Sequence, residues 1–164
     1  MQLRPALAAD FDAVLALNQE SVQYLSPLDR SRLDLIHGQA AQHLVVEHDN
    51  RVLAFMLLFR EQSAYDSTNY RWFDRRFDSF LYVDRIVVKQ GLDIRGVGTR
   101  LYESVFSTAR SQRVPRVVCE IDIEPPNPKS LRFHQRFGFV EIGRQSVAGG
   151  DKIVSLQSAP VEDQ

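Results

Sequence analysis

The sequence predicts an α/β chain of seven strands and four helices, one domain over residues 1–156 with a mobile tail at 157–164. Three patterns carry this. Residues 43–47 and 51–60 are rich in Val, Leu and Phe and are separated by His48-Asp49-Asn50, which makes a hairpin. Residues 80–88 form an apolar run that ends in a glycine-bearing turn, after which Leu101, Val105 and Ala109 recur at helical spacing. Two further segments, 139–146 and 152–156, are joined through Gly149-Gly150 as a last hairpin.

The elements follow in order. Residues 2–5 are a short first strand, and Asp10 is placed to cap a helix that turns Phe11, Val14, Leu15 and Leu17 inward. A polar stretch broken by Pro27 leads to a second helix near Ser31, with Leu33, Ile36 and Ala40 at helical spacing. The strand at 51–60 is apolar almost throughout, as a central strand should be. Residues 62–78 are long for a connection and hold Tyr65, Tyr70, Trp72, Phe73 and Phe77. Such aromatic content argues against disorder and for a flap closing over a pocket or an oligomer contact. A helix at 98–112 and a strand at 116–121 come next. Asn127 then caps a helix with Pro128 at its first position and Gly138 at its end.

Composition excludes several classes of function. The chain has 164 residues, 44% hydrophobic and 25% charged, ordinary for a globular domain. A net charge of −1 argues against a nucleic-acid or anionic-membrane surface. In the aromatic stretch, Arg71, Arg75 and Arg76 are balanced by Asp66, Asp74 and Asp78, leaving no cationic face. No segment has the length of a membrane span, and the first residues lack a signal-peptide core, so a cytoplasmic protein is expected. Cys119 is the single cysteine, which rules out a disulfide framework and fits a small buried hydrophobe. His37, His43, His48 and His134 show no zinc spacing, and no metal is expected.

The chemistry is concentrated at the strand–turn–helix junction. Glycines there leave backbone N–H groups at a helix start, where the helix dipole adds partial positive charge, and the pair attracts a phosphate. Gly91 and Gly96 have P-loop separation, but Val97-Gly98 stand where Lys-Ser/Thr is needed. Leu101 occupies the third glycine position of a dinucleotide fingerprint. What remains, Gly96-Val97-Gly98 after an apolar strand, is similar to the acyl-CoA pyrophosphate loop of the GCN5-related N-acetyltransferase (GNAT) superfamily, Gln/Arg-x-x-Gly-x-Gly/Ala. Asp93 departs from that pattern, and Arg95 is the replacement cation. A second stretch, Asn127-Pro-Lys-Ser130-Leu-Arg-Phe133-His134-Gln-Arg-Phe-Gly138-Phe139, resembles the family's Asn-x-x-Ala/Ser-x-x-Leu/Phe-Tyr-x-x-x-Gly-Phe signature. Two partial motifs in the right order are far more specific than either alone.

The resemblance implies a mixed, mostly antiparallel sheet and an enzyme that transfers an acetyl group from acetyl-CoA to an amine. Backbone N–H groups of Arg95, Gly96, Val97, Gly98 and Thr99 would hold the pyrophosphate, with Arg95 or Arg100 adding charge. The pantetheine arm would pair with the strand at Ile86 and Val88, and an N–H near Val87 or Val88 would polarise the thioester carbonyl. Asn127, Ser130 and Phe133 fall on the cofactor side of the second motif. For the base the resemblance offers Asp84, with Glu120 second; Asp84 equally suits an ion pair with a neighbouring arginine. His134 stands where the family usually has tyrosine, the acid for the departing thiolate. Tyr24, beside Asn18, Glu20 and Ser21, and the flap residues Tyr65, Tyr70 and Trp72 are the candidate substrate contacts. The implied partner is a small-molecule amine, with a homodimer and a peptide N-terminus left open. An inactive acyl-CoA binding module is the rival reading, and an interaction protein using the aromatic stretch is a third.

Overall fold

Residues 1–91 and 94–162, which the computed structural model describes, form seven strands and five α-helices. In chain order they are β1 (Gln2–Pro5), α1 (Phe11–Gln19), α2 (Arg30–Gln39), β2 (Gln42–His48), β3 (Arg51–Arg60), α3 (Thr68–Asp74), β4 (Leu81–Val88), α4 (Val97–Ser111), β5 (Arg116–Glu124), α5 (Pro128–Gln135), β6 (Val140–Val147) and β7 (Lys152–Pro160). The strands make one mixed sheet in the order β1-β2-β3-β4-β5-β7-β6. β4 runs parallel to β5, through Leu81 with Val117 and Tyr82 with Val118. β1–β2, β2–β3, β5–β7 and β6–β7 are antiparallel. The chain packs as two units, Met1–Phe59 with Val83–Ser104, and Arg60–Tyr82 with the chain from Val105 on.

In the first unit β2 and β3 close on Asp49 and Asn50, both at positive φ (50° and 58°). Those are the backbone angles that match the twist of a two-residue hairpin. β3 buries every side chain from Leu53 to Phe59 at 6% exposure or less, as expected of a central strand. The apolar faces of α1 and α2 contribute Phe11, Val14 and Leu17, then Leu33 and Ile36, all buried; Leu15 is half-buried. Asp10 does not cap α1. Its carboxylate accepts from Arg4 (2.7 and 2.9 Å) and from the Leu7 N–H (2.8 Å) within a short 3-10 turn, Ala8–Asp10. That bidentate ion pair is worth more than a cap bond, and it holds the Asp10 pKa below its ordinary value. α2 starts one residue before Ser31, because the Asp29 carboxylate accepts the Arg32 N–H (2.7 Å).

The second unit corrects two expectations. The aromatic stretch is not a flap: it folds into α3, one helix more than the four expected, and supplies core. Ser67 caps that helix by accepting from the Tyr70 N–H (3.3 Å). Tyr70 donates its hydroxyl to the Arg60 carbonyl (2.7 Å) and accepts from the Ser63 N–H (2.9 Å), drawing the segment onto itself. Its ring lies 5.5 Å from Tyr82 and 5.9 Å from Phe80, in an aromatic cluster that Phe73 completes. The second correction is the tail. Residues 157–160 belong to β7, where Gln157 faces Cys119 of β5 and Glu141 of β6, and Ala159 faces Val117. With a neighbour on either side, the polar side chains there are buried and satisfied: Gln157 donates to Ser155 Oγ at 2.7 Å. Cys119 is buried within β5, as a small hydrophobe should be.

Candidate active site

In the first unit the apolar run of β4 leads into a turn tied down where it leaves the strand. Lys89 N–H donates to the Leu53 carbonyl (2.8 Å), and Gln90 reaches Glu20 through its side-chain amide (3.1 Å) and its N–H (3.4 Å). Asp93, the departure from the phosphate-loop pattern, lies outside the described residues. Gly96 has φ +80°, a conformation glycine adopts at no steric cost, and a Cβ built on it would meet nothing within 4 Å. α4 begins directly after it. The Gly96 carbonyl accepts the Arg100 N–H (3.0 Å), the first helical bond, so the amides of Val97, Gly98 and Thr99 have no acceptor inside the helix. Arg95, Gly96 and Arg100 are exposed, Gly98 and Thr99 half-buried, and Val97 buried. An exposed glycine junction, an open helix start and two arginines suit a diphosphate: the residues fit the group that the resemblance implies. Ile86 and Val88 are half-buried and Val87 buried on β4.

Asp84 forms the ion pair that was its alternative role. Arg85 Nε donates to its Oδ2 at 2.6 Å, and both side chains are closed off from solvent (6% and 4% exposed). Sequence reasoning passed over Arg85 itself. The available signal was a cation placed next to Asp84 in an otherwise apolar strand, where an unpaired charge is costly. The same guanidinium donates from Nη1 to Asn18 Oδ1 (3.0 Å) and to the Ser26 carbonyl (3.2 Å). Asn18 is therefore buried within α1 rather than facing a substrate, while Tyr24 is 39% exposed on the connection that follows.

In the second unit Glu120, half-buried on β5, accepts the Tyr82 hydroxyl at 3.0 Å. Asn127 caps α5 by accepting the Ser130 N–H (3.3 Å). His134 is buried with its Nδ1 2.7 Å from the Ser130 carbonyl and 3.2 Å from Ser130 Oγ, its ring edge-on to Phe133 and Phe139. Burial lowers its pKa below the ordinary imidazole value, partly offset by that carbonyl. Phe133 is half-buried against Phe137. Tyr65 and Tyr70 are core residues at 3% and 0% exposure. Trp72 is wedged beside Gly143, with the Arg76 guanidinium 3.7 Å over its ring. Tyr65 and Tyr70 thus lie in the core, and Trp72 packs beside Gly143. No group of three or more His, Cys, Asp or Glu among the described residues is placed to hold a metal, and no helix among them is long and apolar enough to cross a membrane.

Comparison with known proteins bears on the whole chain. Residues 11–139 match the model of the acetyltransferase (GNAT) family. A search of curated proteins found no significant match. Among solved structures the chain is similar to Ard1 from Thermoplasma volcanium, at 16% identity over 99% of this chain and 98% of that one, with a TM-score of 0.79. It is similar also to the ribosomal-protein-S18-alanine N-acetyltransferase from Escherichia coli, at 12% identity over 99% and 95%, TM-score 0.73. A third likeness, to N-acetylglutamate synthase from Neisseria gonorrhoeae complexed with coenzyme A and N-acetyl-glutamate, has 15% identity and a TM-score of 0.68. It covers 99% of this chain and 35% of that one. At these identities the likenesses establish the fold, and the family match over most of the chain establishes the rest: this protein belongs to the acetyltransferase (GNAT) family and is an acetyl-CoA-dependent acetyltransferase.

Proposed function

We propose that the chain transfers the acetyl group to the amine of a small, amino-acid-like acceptor by direct attack on the thioester. The observation that carries this reading is the junction of β4 and α4, where Gly96 at φ +80° keeps space open beside the amides of Val97, Gly98 and Thr99. Those N–H groups are fixed donors for a diphosphate, and Arg95 and Arg100 add charge-assisted bonds. The main chain of Ile86–Val88 pairs with the pantetheine amides, and the Val87 or Val88 N–H donates to the oxyanion that forms when the amine adds to the carbonyl carbon. A fixed donor of that type lowers a barrier by about 3 kcal/mol. The amine loses a proton, the C–S bond breaks, and the sulfur leaves with its electron pair.

Asp84 and Glu120 stand as the candidate bases: Asp84 Oδ2 accepts from the Arg85 guanidinium at 2.6 Å, and Glu120 Oε1 accepts the Tyr82 phenol at 3.0 Å. With Tyr65 and Tyr70 in the core, the exposed ring of Tyr24 is the aromatic contact left for the acceptor. Thiol release from acetyl-CoA, screened over free amino acids, polyamines and short peptides, tests the reading. Release is expected with small amines. Release with peptides alone would overturn the acceptor class, and tight binding without release would favour the inactive acyl-CoA binding module.

A further inference from the structure

Arg85 is a buried cation in the middle of β4, 6% exposed, where Val83 and Val87 beside it are ordinary core residues. Burying a guanidinium costs several kcal/mol unless its donors are matched, and an aliphatic side chain would fill a strand position at less cost. Three of its hydrogen bonds run in two directions. Nε draws the Asp84 carboxylate back along its own strand (2.6 Å), although neighbours on a strand project to opposite faces. Nη1 reaches α1 at Asn18 Oδ1 (3.0 Å) and the α1–α2 connection at the Ser26 carbonyl (3.2 Å). The ring of bonds is closed by Asn18 Nδ2, which donates to the same Ser26 carbonyl at 3.1 Å. Residues 20–28 also make local turn bonds, Tyr24 N–H and Leu25 N–H to the Ser21 carbonyl (3.0 Å each), and the Glu20–Gln90 bonds.

We propose that Arg85 is a positioning residue for the amine acceptor: one guanidinium fixes both the Asp84 carboxylate and the course of the connection that presents Tyr24. The proposal rests on the reading of Tyr24 as an acceptor contact. It makes recognition of the amine, and not of acetyl-CoA, depend on Arg85.

The test is Arg85→Met, read by steady-state kinetics with both substrates varied and by amide hydrogen exchange. The KM for the amine should rise about tenfold or more, as for loss of a charged hydrogen bond, while the KM for acetyl-CoA stays within about twofold. Exchange at the Tyr24 and Leu25 amides should quicken by a similar factor. Arg85→Lys keeps the charge but lacks the planar fork that reaches acceptors in two directions, and it should recover only part of the loss. If both KM values are unchanged, or rise together, the proposal is overturned. Should Arg85→Met fail to fold, Asn18→Ala cuts the same ring of bonds and is read identically. An unsubstituted chain that turned over no amine would refute the function proposed above. Hydrogen exchange would still decide the link, since unaltered rates at Tyr24 and Leu25 in the variant overturn it.

Discussion

His134 Nδ1 lies 2.7 Å from the carbonyl oxygen of Ser130, one turn back on α5. A carbonyl only accepts, so the ring proton is on Nδ1 and Nε2 carries the lone pair. In that tautomer the Nε2 side cannot give a proton to a thiolate unless the ring first becomes cationic, and burial opposes that by lowering the pKa. His134→Gln should therefore reduce kcat by less than about tenfold, below the hundredfold or more that loss of a working general acid costs. A hundredfold fall, with an acidic limb in the pH profile that disappears in the variant, would restore His134 as the acid.

A second imidazole links stability to pH. His37 and His43 meet through their Nδ1 atoms at 2.8 Å, which requires one to donate and the other to accept. Burial, then the neighbouring His37, push the His43 pKa down from 6.5 to about 4, with Asp10 pulling weakly the other way. The unfolded chain thus binds the proton that the folded chain refuses. Stability is complete above pH 6.5 and is lost as the pH falls from there towards about 4, by up to about 3 kcal/mol. His134 acts in the same direction. The urea midpoint should drop between pH 7.5 and 5, and less so in His43→Phe; an unchanged midpoint would contradict the shift.

Gly143 on β6 touches the Trp72 ring so closely that a Cβ would stand 2.7 Å from Cζ2 and 3.1 Å from Cη2. With Arg76 over that ring, the indole has little room to yield. Gly143→Ala should cost about 1–3 kcal/mol by overpacking. Adding Trp72→Leu should recover part of the loss, a coupling that a double-mutant cycle in urea measures. Additive effects would contradict the contact.

Tyr70→Phe separates the core reading of residues 62–78 from the flap that their composition suggested. Removing the hydroxyl leaves the Arg60 carbonyl and the Ser63 N–H without their partner. The expected loss is about 1–3 kcal/mol of stability with kcat and both KM values unchanged. A changed amine KM at unchanged stability would return the stretch to the acceptor site.

Much of the fold was legible because its signals are local. The Asp49-Asn50 turn, the Asn127-Pro128 helix start and Gly138 at φ +84° each depend on a few adjacent residues. α3 was hidden because Thr68–Asp74 is too short to show a helical period, although Ser67 three residues before Tyr70 was a readable cap. The end of β7 was hidden for the opposite reason. Gln157 and Ser158 look like a solvated tail, and only pairing on both sides makes their burial affordable. At the candidate site the Gly96–Gly98 turn was visible as a motif, whereas Arg85 acts through partners far off in sequence, Asn18 and Ser26, that no local pattern connects.

The central claim is that the amides opening α4 hold the diphosphate of coenzyme A. Titrating coenzyme A into 15N-labelled protein and following amide shifts tests it directly. The largest changes should fall on Gly96, Val97, Gly98 and Thr99, and should vanish in Gly96→Val. Saturable binding that leaves those four amides unmoved would contradict it.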